Sequence, residues 1–142
     1  RRKLFQENGE TYKKVLQIIK NTAELAIKSE NNNLKEMGDL LFKSLNIIED
    51  CSVWLIDKYE ENPEISAAGA TPFLNMFGWV LGGWVMVDSA NKAQLIILKD
   101  KNNKFAKEKI NTASFFCNTY LPLASSLQNT IKKSFYALEN FN

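Results

Sequence analysis

The chain has 142 residues, 45% apolar and 24% charged, a balance that fits one globular domain with a core and excludes a disordered or membrane-embedded chain. Its net charge of +2 lacks the clustered basic face that nucleic acid requires, so no nucleic-acid partner is expected. The absence of histidine removes Ser/His/Asp triads, imidazole acid–base chemistry and most zinc sites.

The first helical pattern places Tyr12, Val15, Leu16, Ile19, Thr22, Ala23 and Ala26 at three- and four-residue steps, leaving Lys13, Lys14, Gln17, Lys20 and Glu24 largely off the stripe. It should end before Asn31, Asn32 and Asn33. Of these, Asn33 is expected to cap the next helix, with Glu36 three residues on in a capping-box arrangement.

The second pattern runs through Leu34, Met37, Leu41, Leu45, Ile48, Ser52, Leu55 and Tyr59, and the seven-residue steps between Leu41, Ile48 and Leu55 build a bundle seam. Val53 and Trp54 are expected to broaden that seam. The helix should stop near Glu60, because the residue before Pro63 disfavours helical geometry.

Residues 62 to 70 read as a connection. Thr71 is then expected as the cap and Pro72 as the first residue of a third helix reaching about Leu98. Between Gly69 and Trp84 this segment holds two of the three tryptophans and four of the six glycines. Its apolar run from Phe73 to Val87 is shorter than the roughly 20 residues that span a bilayer, so a buried helix and no membrane span is the reading. Gly78 and Gly82 lie four residues apart, a spacing that lets a neighbouring helix approach closely, and Phe73, Phe77, Trp79 and Trp84 are expected in the core. A ligand wall is the alternative use of those aromatics.

A turn at residues 100 to 103 leads to the last pattern, Phe105, Lys109, Ala113, Phe116, Tyr120, Ala124, Leu127, Ile131 and Leu138. Pro122 interrupts it and predicts a kink between Asn118 and Pro122 in one long helix, with a split into two helices as the lesser option. The fold expected is therefore all-α, an up-down-up-down four-helix bundle forming a single domain over residues 1 to 142.

No catalytic constellation follows from spacing. Glu49 with Asp50 and Glu60 with Glu61 are neighbours that point about 100° apart on a helix, and are expected on the surface. Glu36 and Asp39 lack the histidine of a di-iron motif. Gly78, Gly82 and Gly83 are followed by no Lys-Ser/Thr and preceded by no strand, so they make no phosphate loop. Cys51 and Cys117 belong to no CxxC pair and are expected as buried free thiols, with a disulfide or a reactive thiol as the alternative.

Two motifs in order carry a family resemblance. Phe73, Leu74, Phe77, Gly78, Gly83 and Trp84, followed by Lys109, Thr112, Ala113, Phe115, Phe116, Leu121 and Pro122, make the chain resemble the extra C-terminal domain of some bacterial acyl-CoA dehydrogenases. The likeness is strongest from Gly69 to Ser125, and weaker from Asp50 to Ile56. It departs at Ser114, where the family often carries arginine.

The resemblance implies that this is a C-terminal domain excised from a larger cytoplasmic flavoenzyme of fatty acid metabolism, and the opening Arg1-Arg2-Lys3-Leu4 without methionine agrees with that expectation. Such a parent oxidises an acyl-CoA to a 2-enoyl-CoA, a glutamate removing the alpha proton and FAD accepting hydride from the beta carbon. An electron-transfer flavoprotein then takes the electrons. All of that machinery is implied to precede residue 1, so no catalytic, cofactor-binding or metal residue is assigned to this chain. The residues assigned to packing and docking are Phe73, Phe77, Gly78, Trp79, Gly82, Trp84 and Phe116, with a homodimeric parent and its upstream domains as the implied partners. Two other readings compete: a stand-alone helical interaction module, and a lipid- or ligand-binding bundle with a cavity between the third and fourth helices.

Overall fold

The computed structural model describes the backbone of residues 2–64 and 70–141, and side-chain surroundings for 9–64, 71–133 and 136–137. Every secondary-structure element among them is a helix: α1 Arg2–Ile27, α2 Asn32–Glu61, α3 Ala70–Lys99, α4 Lys104–Tyr120 and α5 Leu123–Phe141. This is an all-α fold.

The first two apolar stripes fold as their spacing dictates. Leu16, Ile19, Ala23 and Ala26 of α1 are buried, as are Leu34, Met37, Leu41, Leu45, Ile48 and Cys51 of α2. Trp54 packs against the core from the edge, with its ring at 66° to that of Tyr136. Val53 does not broaden the seam: it is 60% exposed, because it lies one residue away from the buried side of a helix whose neighbours already fill that side.

The turn into α2 is set by Asn31, not Asn33. The Asn31 side-chain oxygen accepts from the amides of Asn33 at 2.9 Å and Leu34 at 3.4 Å, and its amide nitrogen donates to Gln94 of α3 at 3.1 Å. All three asparagines have suitable chemistry. Only Asn31 has the extended backbone that aims a cap at the first free amides. Asn31→Ala is expected to lower stability by about 1–2 kcal/mol, since it removes a cap and a cross-helix bond, and urea denaturation would measure it. At the other end α2 stops at Glu61, with the Asn62 amide donating to the Lys58 carbonyl, next to Pro63 as expected.

The described part of α3 begins at Ala70, so Thr71, the expected cap, is itself helical. Asn103 caps α4 by accepting from the Ala106 amide at 3.0 Å. The buried stripe of α4 and α5 is Ala106, Ile110, Ala113, Cys117, Leu121, Ala124 and Ile131. Phe105, expected to open that stripe, is 69% exposed. Ala113, Ala124 and Ile131 of the expected stripe are buried, whereas at the start of α4 Ala106 and Ile110 face the core in place of Phe105 and Lys109.

Around Pro122 the chain forms two helices separated by the two turn residues Leu121 and Pro122, the lesser of the forms expected. Leu121 keeps helical angles and donates to the Cys117 carbonyl at 3.1 Å, so the interruption is local. Its side chain is buried, and its carbonyl accepts from the Ala124 amide and from the buried Ser44 hydroxyl at 3.3 Å.

The helices are arranged around a central pair. α2 and α3 each touch all the others, whereas α1 touches only those two among the described residues, and α4 with α5 lie on the opposite flank. One core cluster runs through all of them. Gly38 and Gly83 are two of the three described glycines that permit close approaches, Gly82 being the third. A Cβ on Gly38 of α2 would stand 2.7 Å from the Ala23 carbonyl oxygen and 2.8 Å from the Ile27 nitrogen of α1. Gly83 of α3 receives Leu121, whose nearest methyl would stand 2.8 Å from an added Cβ.

Candidate docking surface

α3 carries no charged residue from Pro72 to Val87, so apolar side chains emerge on every side of it. Met76, Val80 and Val87 point into the core. Towards α1, the Phe77 ring lies 5.8 Å from that of Tyr12 and 6.4 Å from that of Phe73. Further along, the Trp84 indole donates to the Thr22 hydroxyl at 3.0 Å and Asn91 donates to the Thr22 carbonyl at 3.2 Å. Towards α4, the Phe116 ring sits over Gly82, its tip 2.7 Å from where a Cβ would be, and its centre lies 4.8 Å from that of the Tyr120 ring.

The seven residues singled out in the sequence therefore divide among three directions. Phe73, Phe77 and Trp84 are half-buried on the α1 side, and Gly82 with Phe116 forms the α4 contact. Trp79 is half-buried. Gly78 does not support the close approach expected of it: it is exposed, and a Cβ there would meet nothing within 4 Å. Phe116 of α4 meets α3 at Gly82 and Leu121 of the following turn meets it at Gly83, while Gly78, one turn away, is left uncontacted. Gly38 was missed in the sequence. Its position between Leu34, Met37 and Leu41 on the buried stripe is the signal that marks it.

Away from the core, α3 exposes Leu74 (65%) and Val85 (52%), and α4 exposes Phe105 (69%) and Phe115 (72%). Large exposed aromatics on one helix are what a docking face offers, since each buries about 150–250 Å² when covered. Lys109 stands over the Phe105 ring at 5.5 Å, so the rim of this face is cationic. Ser114, at the position where the resemblance departs, accepts from the Asn118 side chain at its carbonyl and hydroxyl.

The acidic neighbours lie on the surface. Asp50 accepts from Gln128 and from Lys132 at 3.1 Å, a tie between α2 and α5, and Glu49, Glu60 and Glu61 are exposed. No three His, Cys, Asp or Glu side chains are grouped to hold a metal among the described residues, and no helix there is long and apolar enough to cross a membrane. A groove of about 510 Å³ lies between α1 and α2, lined by Tyr12, Leu16, Val53 and Ile56 with Lys13 and Lys20 at its edge. The Tyr12 hydroxyl is buried there, with Ser52 beside it. Burial raises its pKa, Ser52 opposes this, and the charge of Glu49 adds to it.

Cys51 and Cys117 are buried free thiols. Burial pushes them up from 9.0 to about 11 and about 12 respectively. A thiol that ionises more readily when unfolded favours unfolding once the pH exceeds its unfolded value, so this stabilisation is complete below pH 9.0 and is lost as pH rises through about 11 and 12. Two outcomes are expected. Iodoacetamide should alkylate the native chain little at about pH 8, where thiolate is scarce. The urea midpoint should fall above pH 9.0, a fall flattened in a double Cys→Ala variant.

A family model described as acetyl-CoA dehydrogenase C-terminal like matches residues 15–138. No curated protein and no solved structure gives a match.

Proposed function

The chain belongs to the acetyl-CoA dehydrogenase C-terminal-like family, and from that premise we propose that it is the non-catalytic C-terminal domain of an FAD-dependent acyl-CoA dehydrogenase, acting in domain packing and quaternary assembly. The parent oxidises acyl-CoA to 2-enoyl-CoA in its upstream domains, passes electrons to an electron-transfer flavoprotein, and is a cytoplasmic homodimer of bacterial fatty acid metabolism. The observation that carries the reading is the exposed aromatic pair Phe105 and Phe115 on α4, in a chain of this family.

The residues present do not fit a flavin. A dinucleotide needs free backbone amides beside glycines to cradle its pyrophosphate. Here every described glycine lies inside a helix, where its amide is committed to the helical ladder, and the space beside Gly38, Gly82 and Gly83 is filled by Ala26, Phe116 and Leu121. The flavin is accordingly assigned to the upstream domains, and no step of its chemistry is routed through this bundle. An up-down-up-down course belongs to the same proposal. Its support is the register of cross-contacts, in which Tyr12 meets Phe77, Thr22 meets Trp84 and Asn91, and Asn31 meets Gln94.

The test compares the parent enzyme, its form truncated before residue 1, and a full-length Phe105→Asp/Phe115→Asp variant by sedimentation velocity and dehydrogenase assay. Truncation and the double variant should both alter assembly. Unchanged sedimentation and turnover in both would overturn the reading.

A further inference from the structure

The outermost stripe of α3 is Leu74, Gly78, Leu81 and Val85, spaced by four, three and four residues. That spacing places them on one helical face. It is also a palindrome. When a second α3 is laid antiparallel across the first, Leu81 of each copy falls opposite Gly78 of the other, and Leu74 falls opposite Val85.

Each feature of the stripe suits that pairing. Gly78 is an open hole, with nothing within 4 Å of an added Cβ and no neighbour inside the bundle that uses it. The two other tight glycines of α3 are filled from within, Gly82 by Phe116 and Gly83 by Leu121. Leu81, one turn from Gly78, is half-buried and held against the core, which makes it a stiff knob. Leu74 and Val85 are 65% and 52% exposed.

Charge points to the same occupant. No charged residue lies between Pro72 and Val87, so a two-fold pairing sets no like charges opposite each other. The first charge beyond the stripe, Asp88, is paired with Lys92 at 3.0 Å, and the antiparallel register sets it opposite Thr71 of the second copy rather than opposite another charge. An unrelated partner would have to supply both an uncharged face and a knob matched to Gly78. A second copy supplies both.

We propose that this chain self-associates through α3 as a two-fold antiparallel pair, with Leu81 of each copy seated in the Gly78 hole of the other. The pairing requires no domain upstream of the chain, and stands or falls apart from the docking of α4 proposed above.

Sedimentation equilibrium of the 142-residue chain tests it, with circular dichroism and thermal melts as fold controls. The chain should show a reversible monomer–dimer equilibrium. Gly78→Glu should raise the dissociation constant by about tenfold or more while leaving the melt intact, because it fills the hole and buries a charge. Leu74→Glu and Val85→Lys, both at exposed sites, should each be monomeric alone. Mixed in equal amounts they should dimerise, since the antiparallel register sets the introduced carboxylate of one variant against the introduced ammonium of the other and leaves Val85 facing Leu74 on the opposite side. A chain that is monomeric throughout, a dimer unaffected by Gly78→Glu, or a mixture of the two charged variants that stays monomeric would each overturn the proposal.

Discussion

Gly38→Ala is expected to destabilise the chain by about 3 kcal/mol, although an intrinsic preference alone would make it stabilising. Alanine is favoured over glycine by about 1 kcal/mol in a helix interior. At Gly38 the added methyl meets the Ala23 carbonyl oxygen at 2.7 Å, the Ile27 nitrogen at 2.8 Å and the Ala26 Cβ at 2.9 Å. Two of those three atoms are backbone, so no rotamer change relieves the clash. α1 must move away from α2 along a seam that buries Ile19, Ala23, Leu34, Met37 and Leu41. Overpacking a well-filled core costs about 1–3 kcal/mol and sometimes more, and a whole helix pair is displaced here. Urea denaturation gives the measurement. An unchanged or raised midpoint for Gly38→Ala would show that the α1/α2 contact is looser than the structure has it.

The glycines also show which parts of the fold were legible from the chain. Period is local, and it placed the stripes of α1 and α2 correctly because apolar and polar residues there separate cleanly around the helix. α3 offers no such contrast: with no charge from Pro72 to Val87, its pattern has a period but no phase. Which glycines of Gly78, Gly82 and Gly83 meet a neighbour is then decided by the positions of Phe116 and Leu121, far away in sequence. The same holds at Phe105, where the neighbouring Ala106 faces the core and the ring faces outward. The division among three neighbouring asparagines was hidden for another reason. Their side chains are identical, and the backbone angles that select Asn31 arise only once α1 has ended.

The packing residues were partly legible on the same terms. Phe73, Phe77, Trp84 and Phe116 were recognisable as packing groups from their size and spacing, and all four lie against the core. The outward-facing Phe115 entered only as part of a family motif. A large exposed aromatic on a helix cannot be told from a buried one until the neighbouring helices are in place.

At the opposite flank of the bundle, Gly83 and Leu121 are expected to behave as one unit under mutation. Gly83→Ala puts a Cβ 2.8 Å from one Leu121 methyl, 3.2 Å from the other and 3.3 Å from its branching carbon. Leu121 has little freedom to yield. It is buried, it occupies the turn between α4 and α5, and its carbonyl is held by Ser44 and Ala124. Gly83→Ala alone should therefore cost about 2 kcal/mol, the overpacking term exceeding the gain in helix propensity. Leu121→Ala alone should cost about 3 kcal/mol, from lost burial and the cavity left beside Gly83. Together the changes relieve each other, because the alanine methyl at position 83 enters space that the leucine has vacated. The double variant should then be less destabilised than the sum of the singles by about 1–2 kcal/mol, the coupling of groups in direct contact. Chemical denaturation of the four proteins closes the cycle. Strict additivity would mean that α3 does not meet the α4–α5 turn at Gly83, and the placement of the last two helices against the central pair would have to be abandoned.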